Sequence, residues 1–540
     1  MIIDLSISAL TFFLVTYLHI STAFSLPVVD LGYELHQAFS LNETTRLYNF
    51  SNIRYAAPPL GNLRFRVPLL PKVNRTKVQT RAFLTSYFTN ATFSASLDVS
   101  SYPVPLIQGP RISEDCLFLD VVVPQKVFDR AQGKTPVPKE ILAPVIVYFY
   151  GGGYVLGDKG GLDPSGHIQR SQQQGKDGVI YVALNYRISI SLGAFGWLAG
   201  HTVSRKGTPN AALHDQRLGL TWVAQNIHLF GGDTDRVTVM GVSAGSGSIL
   251  HQLTAYKGLQ GPSLFHEAIL QSPAWEANYD TDKQERTFRQ YLKLLNLIAA
   301  NAHQVSSSPY GTFTYGPVVD GVFVPDLPGK LLLRGEFDHS VKILNGHTLN
   351  EALMYTPPSS FQEWGLLALM DEHFLDLSKD MKETIVNVLY PPILDGKYGY
   401  RGWVERVSSA LSDIWFQCNS YHLNHAYSNS TYTYVFSIPP AMHWMDHPYS
   451  FYIKSAKPLV ENPLFQVTKE TVAFILQDYV TSFVQTGKPT SSLAPPLEIY
   501  GPESRVVSIG SNNITRMRDP ACNARCVYWQ TAFAYSRDDL

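Results

Sequence analysis

The stretch RVTVMGVSAGSGSIL, from Arg236 to Leu250, decides how the chain folds around it. Its first five residues are mostly β-branched or apolar and predict a strand, and the residues after Gly245 predict a helix. Between them, Ser243 stands between two glycines. This order indicates either a tight structural turn or a nucleophile presented on a strained strand-to-helix elbow, where a side chain at Gly241 or Gly245 would collide with its neighbours.

Segments on either side of this stretch repeat the alternation of strand and helix. Residues 143–153 (APVIVYFYGGG) and 178–187 (GVIYVALNYR) are apolar runs typical of strands buried on both faces. Residues 213–232 carry apolar side chains at helical spacing and stop at a glycine pair. The sequence therefore predicts an α/β fold, with a large and mostly parallel sheet flanked by helices.

Composition sets the size and excludes one class of partner. The 540 residues are 45% hydrophobic and 12% aromatic, which is ample for a large core. Charged residues make up 16%, the formal net charge is −1, and no run of Lys and Arg occurs, so we expect no nucleic-acid partner. No linker divides the chain cleanly, and residues 26–540 are predicted to form one domain.

The N-terminus has the pattern of a secretory signal peptide, which we place at residues 1–25. An apolar run from Leu5 to Ile20 precedes Ala23-Phe24-Ser25, the predicted cleavage site. Asp4 and the absence of a basic residue before the run leave an uncleaved membrane anchor as the alternative. We expect a secreted protein with no stable membrane insertion after cleavage. Acceptor sequons for N-glycosylation begin at Asn42, Asn49, Asn74, Asn90, Asn429 and Asn513.

A serine hydroxyl needs a base, an orienting acid and hydrogen-bond donors for the oxyanion before it can act as a nucleophile. The glycine run that follows the strand at residues 143–149 supplies candidate donors, and it resembles an HGGG-type oxyanion loop with Tyr150 in place of His. We predict that the amides of Gly152, Gly153 and Ala244 form the oxyanion hole. The alternative interpretation of the run is a flexible glycine turn.

A series of further blocks resembles the ordered landmarks of the type-B carboxylesterases, the family of secreted esterases, fungal lipases and cholinesterases. The resemblance runs from about residue 28 to beyond residue 445, and it implies an α/β-hydrolase fold with catalytic residues in the order Ser, Glu, His and no metal or organic cofactor. The blocks are RYAAPPLGNLRF (54–65), SEDCLFLDVVVP (113–124), YGGGY (150–154), NYRISISLGAFGWL (185–198), DQRLGLTWVAQNIHLFGGDTDRVTVMGVSAG (215–245) and GPVVDG (316–321).

The acid and the base follow from the same resemblance. Residues 341–355 (VKILNGHTLNEALMY) resemble the acid segment of the family and single out Glu351, with Asp320 as the nearest competitor. Residues 441–452 (AMHWMDHPYSFY) resemble the His-x-x-Asp segment and select His443, with Asp446 ordering the loop.

Two features of this segment leave other interpretations open. Trp444 stands where the family usually has glycine, so we expect the local backbone to differ, and His447 remains an alternative base. His443, Asp446 and His447 also resemble an H-x-x-E-H metal motif, but such ligands lie on a helix, and Pro448 and its aromatic surroundings argue against one. We therefore predict no metal.

Other departures from the family bear on substrate and cross-links. Val242 occupies a position where many relatives have Glu, which makes the pocket more apolar, and no Trp occurs between residues 66 and 196 to bind a choline group, so choline esters are not expected. Of the four cysteines, Cys116 lacks the upstream partner of the family's N-terminal disulfide. The resemblance favours a bond from Cys418 to Cys526 over one to Cys522. Residues 85–113 are hypothesised to form a lid.

We therefore predict a secreted serine ester hydrolase that acts through an acyl-enzyme on a small-molecule or lipid-like ester, with Ser243, Glu351 and His443 as its catalytic residues. A transesterase that passes the acyl group to an alcohol, and a non-catalytic binding protein on the same scaffold, are the alternatives. The sequence carries no signal of oligomeric state.

Overall fold

The structure, a computed structural model, describes residues 25–80, 113–133, 138–187, 193–261, 264–275, 280–293, 315–374, 377–454, 456–457 and 462–535. The predicted signal peptide, the hypothesised lid and the sequon at Asn90 lie outside these residues, apart from Ser25 and Ser113 at their ends.

Fourteen strands are present in the described residues. They are β1 (Val28–Asp30), β2 (Glu34–Gln37), β3 (Ser40–Asn42), β4 (Leu47–Arg54), β5 (Asn74–Gln79), β6 (Phe118–Pro124), β7 (Ala143–Phe149), β8 (Ile180–Leu184), β9 (Gly232–Val242), β10 (Glu267–Gln271), β11 (Lys342–Thr348), β12 (Tyr432–Phe436), β13 (Arg505–Ile509) and β14 (Ile514–Arg518).

The α-helices of the described residues are interspersed between the strands along the chain. They are α1 (Gln125–Ala131), α2 (Ser165–Ser171), α3 (Gly193–Trp197), α4 (His201–Lys206), α5 (Ala211–Asn226), α6 (Ala244–Thr254), α7 (Thr281–Leu292), α8 (Pro328–Leu333), α9 (Gly365–His373), α10 (Lys379–Thr384), α11 (Trp403–Ser412), α12 (Cys418–Ala426), α13 (His447–Ser450), α14 (Glu470–Thr486) and α15 (Ala524–Tyr535).

One sheet of eleven strands forms the centre of the fold, in the order β14-β13-β12-β11-β10-β9-β7-β8-β6-β4-β3. The seven strands from β13 to β8 run parallel, whereas β14 at one edge and β6, β4 and β3 at the other pair antiparallel. The predicted α/β fold with a large mixed, mostly parallel sheet is confirmed. A second sheet joins β1, β2 and β5.

The parallel strands are buried because helices cover both faces of the sheet. Every residue of β7 and β8 is buried, as their continuous apolar sequences require. Helices α5, α6 and α14 pack against the central strand β9. This packing fixes the strands from which the site is built.

Several loops that carry the predicted site residues leave the carboxyl ends of parallel strands, where α/β sheets place their ligands. The glycine run follows β7, Ser243 follows β9, Glu351 lies three residues after β11, and His443 lies seven residues after β12. The parallel topology therefore brings residues as far apart in the sequence as Gly152 and His443, 291 positions, to one edge of the sheet.

A disulfide ties the C-terminal helix to the rest of the fold. Cys418 at the start of α12 is bonded to Cys526 in α15, while Cys116 and Cys522 carry free thiols. This is the pairing that the resemblance favours. In the part of the chain that the structure describes, no helix is long and apolar enough to cross a bilayer.

Candidate active site

Ser243 occupies a strained turn between β9 and α6. Its backbone has φ 55° and ψ −126°, a left-handed conformation that is uncommon for a residue with a side chain and costs about 1–3 kcal/mol. The turn is held by hydrogen bonds from the Ser243 amide to the Gln271 carbonyl (2.9 Å) and from the Gly247 amide to the Ser243 carbonyl (2.9 Å).

Both flanking glycines are required by close backbone contacts. A Cβ at Gly241 would lie 2.7 Å from the carbonyl carbon of Gly245, and a Cβ at Gly245 would lie 2.1 Å from the carbonyl oxygen of Phe149. Such distances leave no room for any side chain. The motif therefore forms the elbow geometry expected from the sequence.

His443 and Glu351 form a buried pair. The Nδ1 atom of His443 lies 2.6 Å from Oε2 of Glu351, and the second carboxylate oxygen accepts a hydrogen bond from the Thr348 amide at 2.6 Å. Burial acts to raise the pKa of Glu351, but the neighbouring imidazole and the hydrogen bonds outweigh it, so that the pKa is lowered. The carboxylate is therefore ionised at neutral pH.

This pairing fixes the tautomer of the imidazole. Because Nδ1 donates to the carboxylate, the Nε2 atom of neutral His443 is an acceptor. It is buried, and no described residue forms a hydrogen bond with it. An unpaired buried acceptor of this kind is suited to take a proton from a hydroxyl group.

His447, the alternative base, forms a hydrogen bond with a different residue. Its Nε2 atom lies 2.7 Å from the hydroxyl group of Tyr148, on the central strand β7. Burial lowers the pKa of His447 to about 3, so the ring is neutral at physiological pH. The carboxylate of Glu351 pairs with His443 and not with His447. The two histidines of the H-x-x-D-H pattern thus bind different partners. The expectation that Pro448 argues against a helix is wrong, because Pro448 lies in the first turn of α13, but His443 precedes this helix.

Trp444 adopts a backbone conformation that favours glycine. Its φ is 72°, in the left-handed region, which shows that the bulky residue has been accommodated there. Its ring stacks on His447 with centroids 4.9 Å apart and meets Phe465 edge-on at 5.8 Å. The aromatic contacts offset the cost of the backbone.

Replacement of Trp444 tests this balance between strain and stacking. We expect Trp444→Gly to lower the free energy of unfolding by about 1–3 kcal/mol, because the lost ring contacts outweigh the relieved backbone. Trp444→Ala loses the same contacts without the relief and should be less stable than Trp444→Gly by about 1 kcal/mol. Urea denaturation of the three proteins measures both differences, and equal stability of the two variants would contradict the strain.

Asp446 links the histidine loop to the strand beside the nucleophile. Its carboxylate is buried and accepts hydrogen bonds from the Tyr434 hydroxyl at 2.6 Å and from the side-chain NH₂ group of Gln271 at 3.3 Å. Burial raises the pKa of Asp446 to about 6. Because the carbonyl of Gln271 also holds the Ser243 amide, these bonds join the two segments that carry the serine and the histidine.

The glycine run after β7 turns sharply beside the elbow. Gly152 and Gly153 have φ values of 122° and 59°, and a Cβ at Gly151 would lie 2.6 Å from the Val242 carbonyl. No described acceptor takes the amides of Gly152 and Gly153. The amide of Ala244 belongs to the first turn of α6, where no acceptor exists within the helix. All three predicted donors are thus available to a ligand.

Asp320, the competing acid, belongs to a structural turn. It accepts hydrogen bonds from the Asn210 side chain at 2.7 Å and from the amides of Val322 and Val324. Its oxygens are therefore occupied by its own turn and by Asn210, the residue before α5.

Aromatic residues around the histidine were missed by the sequence reasoning. The ring of Phe416 lies 4.3 Å from that of His443, and Tyr355 lies 5.6 Å away. Phe416 belongs to a π-helical turn, Asp413–Gln417, between α11 and α12, and π-helical turns frequently mark functional sites. The aromatic pair just before Cys418 was the only signal in the sequence.

The same turn and the end of α11 support the segment that carries Glu351. The amide group of Gln417 donates to the carbonyls of Thr348 and Leu349, and the hydroxyl of Ser412 accepts the amide of Ala352, next to Glu351. The segment is therefore braced on both sides of the carboxylate.

One group of potential metal ligands occurs in the described residues, and it is not a metal site. It comprises Asp413 and the sulfurs of Cys418 and Cys526, which are joined in the disulfide.

The glycosylation sequons differ in exposure. Asn42, Asn74 and Asn513 are exposed, whereas Asn49 and Asn429 are partly buried. The side-chain oxygen of Asn49 is itself buried within β4. Asn49 is thus the least accessible of the described acceptors.

Comparisons with known proteins agree on one family. The model of the carboxylesterase family matches residues 37–296 and 288–529. Carboxylesterase patB from Penicillium expansum is 38% identical over 557 aligned positions, which cover 94% of this chain and 96% of that protein. A secreted lipase from Arthroderma benhamiae is 30% identical, over 75% of this chain and 81% of that protein.

Solved structures agree on the fold. EstA from Aspergillus niger superimposes with a TM-score of 0.76 at 26% identity and covers 94% of this chain and 99% of its own. A thermophilic pNB esterase gives a TM-score of 0.70, also at 26% identity, over 92% of this chain and 98% of its own.

Proposed function

This chain belongs to the carboxylesterase family and is a carboxylic ester hydrolase, and we propose that it works through an acyl-enzyme on Ser243. The observation that carries the proposal is the buried pair of Glu351 and His443, in which Nε2 of His443 forms no hydrogen bond with a described residue. His443 and the elbow both follow the carboxyl ends of parallel strands, at the same edge of the sheet. A nucleophile, a base and an orienting acid are the three groups that serine catalysis requires.

In the first half of the reaction, Nε2 of His443 takes the proton of the Ser243 hydroxyl as Oγ attacks the ester carbonyl. The oxyanion that forms accepts hydrogen bonds from Gly152, Gly153 and Ala244, each worth about 3–4 kcal/mol in the transition state. The C–O bond to the alcohol then breaks, and the alcohol leaves with the proton from His443. In the second half, water gives a proton to His443 and attacks the acyl carbon. The bond between this carbon and Oγ then breaks, His443 returns the proton to Ser243, and the acid is released.

The surroundings of the histidine indicate an uncharged substrate. Phe416 and Tyr355 flank His443, and Val242 contributes no charge beside the serine. The relative from Arthroderma benhamiae is named as a lipase, so a small-molecule or lipid-like ester fits this environment. Apolar walls favour substrates through the area they bury.

Secretion belongs to the same proposal. The predicted signal peptide at residues 1–25, the disulfide and the exposed acceptors Asn42, Asn74 and Asn513 fit an extracellular enzyme whose single domain spans residues 26–540. A relative named as a secreted lipase supports it.

The acyl acceptor is tested by product analysis. We expect purified enzyme to release the free acid from a series of p-nitrophenyl esters, from acetate to palmitate, in plain buffer. Added methanol should divert only part of the product to the methyl ester. Release of p-nitrophenol that depends on the alcohol would identify a transesterase instead. Failure of a fluorophosphonate to label the protein, together with no turnover, would leave a binding protein.

A further inference from the structure

Two buried tyrosines clasp each other at the ends of neighbouring strands. Tyr150 follows β7 and Tyr186 lies two residues after β8. Their rings stack with centroids 4.4 Å apart and planes 17° apart. The Tyr186 hydroxyl donates to the Tyr150 carbonyl at 2.6 Å, and the Tyr150 hydroxyl donates to the Tyr186 carbonyl at 3.2 Å. Each side chain therefore holds the backbone of the other.

The carbonyl of Tyr150 lies at the junction between the glycine run and the elbow. A Cβ at Gly245 would come within 2.7 Å of this oxygen, so the backbone there touches the turn that carries the nucleophile. The glycine run begins with the next residue, Gly151. The Tyr150 carbonyl is thus placed between the hydroxyl of Tyr186 and the elbow.

The ring of Tyr150 is enclosed from the other side as well. A Cβ at Gly157 would lie 2.5 Å from Cδ2 of Tyr150 and 2.6 Å from the Gly151 carbonyl. The loop that leaves the glycine run therefore returns over the ring. Movement of Tyr150 would have to displace this loop.

Tyr186 is anchored by both of its neighbours. The amide and guanidinium of Arg187 bind the buried carboxylate of Asp215, with the closest contacts at 2.7 Å. The carbonyl of Asn185 accepts the Tyr55 hydroxyl at 2.5 Å. Burial raises the pKa of Tyr186 far above its usual value, so the phenol remains a hydrogen-bond donor at every pH at which the fold is stable.

We propose that Tyr186 is a positioning residue of the oxyanion hole, and that its hydroxyl, through the carbonyl of Tyr150, sets the distance between the amides of Gly152 and Gly153 and the amide of Ala244. The inference rests on the proposed acyl-enzyme function. The three donors come from two segments of the chain, and they stabilise the oxyanion only while their spacing matches it. A misplacement of about 1 Å can cost up to a hundredfold in rate.

Tyr186→Phe keeps the stacked ring and removes the 2.6 Å hydrogen bond. We expect kcat for p-nitrophenyl butyrate to fall by about 10- to 100-fold while KM stays within about threefold, because the donors act mainly in the transition state. A trifluoromethyl ketone forms a tetrahedral adduct with Ser243, and the oxyanion of this adduct binds the same three amides. The affinity of the ketone should therefore fall by the same factor as kcat. A loss of fold alone would not produce this parallel.

Two other variants calibrate the result. Tyr427→Phe removes an equally short hydrogen bond, from Tyr427 to the Asp338 carbonyl at 2.6 Å, at the opposite end of β11 from the site, and should leave kcat within about twofold. Tyr150→Phe keeps the 2.6 Å bond and loses the weaker 3.2 Å one, so both kcat and ketone affinity should fall by about threefold. This second variant still tests the parallel if Tyr186→Phe does not fold.

The outcomes separate the inference from the function on which it rests. Unchanged kcat and ketone affinity in Tyr186→Phe, or an equal loss in Tyr427→Phe, would overturn the positioning role while hydrolysis by the wild type stands. A fall in kcat without a fall in ketone affinity, in Tyr186→Phe or in Tyr150→Phe, would overturn the positioning role too. If the wild type neither hydrolyses the ester nor binds the ketone, the acyl-enzyme mechanism itself fails.

Discussion

Ser243→Ala is expected to lower kcat/KM for p-nitrophenyl esters by about 10⁴- to 10⁶-fold, the range seen when serine hydrolases lose their nucleophile. The hydroxyl is the only group at the elbow to which the mechanism assigns attack on the carbonyl. Without the serine hydroxyl, the proposed mechanism leaves His443 only a water molecule from which to take a proton. Substrate binding should persist, because the apolar walls around His443 are intact. A fluorophosphonate should no longer label the protein.

A neighbouring serine supplies the matched control for this variant. Ser248 lies on the same helix, α6, and its buried hydroxyl forms no hydrogen bond with a described residue. Ser248→Ala therefore removes an equivalent atom without breaking a hydrogen bond to a described residue, and we expect activity within about twofold of wild type. Steady-state kinetics and intact-mass analysis after labelling measure both. Equal activity in Ser243→Ala and wild type would show that the nucleophile lies elsewhere.

The elbow could be predicted from the sequence because most of its causes are local. Apolar β-branched residues, two glycines and the start of the following helix all fall within Arg236–Leu250, and the contacts that exclude a Cβ at Gly241 come from Gly245 and Ser246. The contact that excludes a Cβ at Gly245 is tertiary, because it comes from Phe149 at the end of β7. The parallel strands could be predicted in the same way, since β7 and β8 are continuous apolar runs. Local chemistry of this kind is readable without a structure.

The proposed acid and base could not be located from local sequence patterns alone. Glu351 and His443 are 92 residues apart, and nothing in the residues around either one indicates the other. The family resemblance supplied both positions. Trp444 shows the limit of that route, because the bulky residue takes a left-handed φ that its side chain alone would argue against. Tertiary contacts with His447 and Phe465 decided the outcome there.

The supporting residues could not be predicted at all. Gln417 bonds to carbonyls 68 and 69 residues away, and the two tyrosines of the clasp are 36 residues apart. Neither pairing leaves a periodic signal in the sequence, because each depends on where two chain segments end in space. Such contacts place catalytic groups without touching the substrate.

Glu351→Gln is expected to lower kcat by about 10³- to 10⁴-fold with little change in KM. In the native site the carboxylate accepts from both Nδ1 of His443 and the Thr348 amide. A glutamine can keep its carbonyl oxygen on the Thr348 amide only by turning its NH₂ group toward Nδ1. The imidazole then becomes the other tautomer, with its proton on Nε2, where it can no longer take the proton of the serine.

The lost charge adds to this effect. The lowered pKa of Glu351 reports that the site favours the ionised carboxylate next to the imidazole, and the imidazolium formed in the transition state gains most from it. Because that pKa is already below its ordinary value, the carboxylate remains ionised down to mildly acidic pH. Protonation of Glu351 should therefore not be what limits wild-type activity between about pH 7 and 5.

Asp320→Asn is the matched control, since it makes the same exchange of carboxylate for amide at the competing acid. Its oxygens are bound to Asn210 and to the amides of its own turn, so we expect some loss of stability and a kcat within about threefold of wild type. Comparison of kcat and thermal midpoint for the two variants distinguishes the acids. A large fall in kcat for Asp320→Asn with full activity in Glu351→Gln would reverse the assignment. Of the two carboxylates, only the one that fixes the tautomer of His443 is expected to lower kcat while the thermal midpoint stays unchanged.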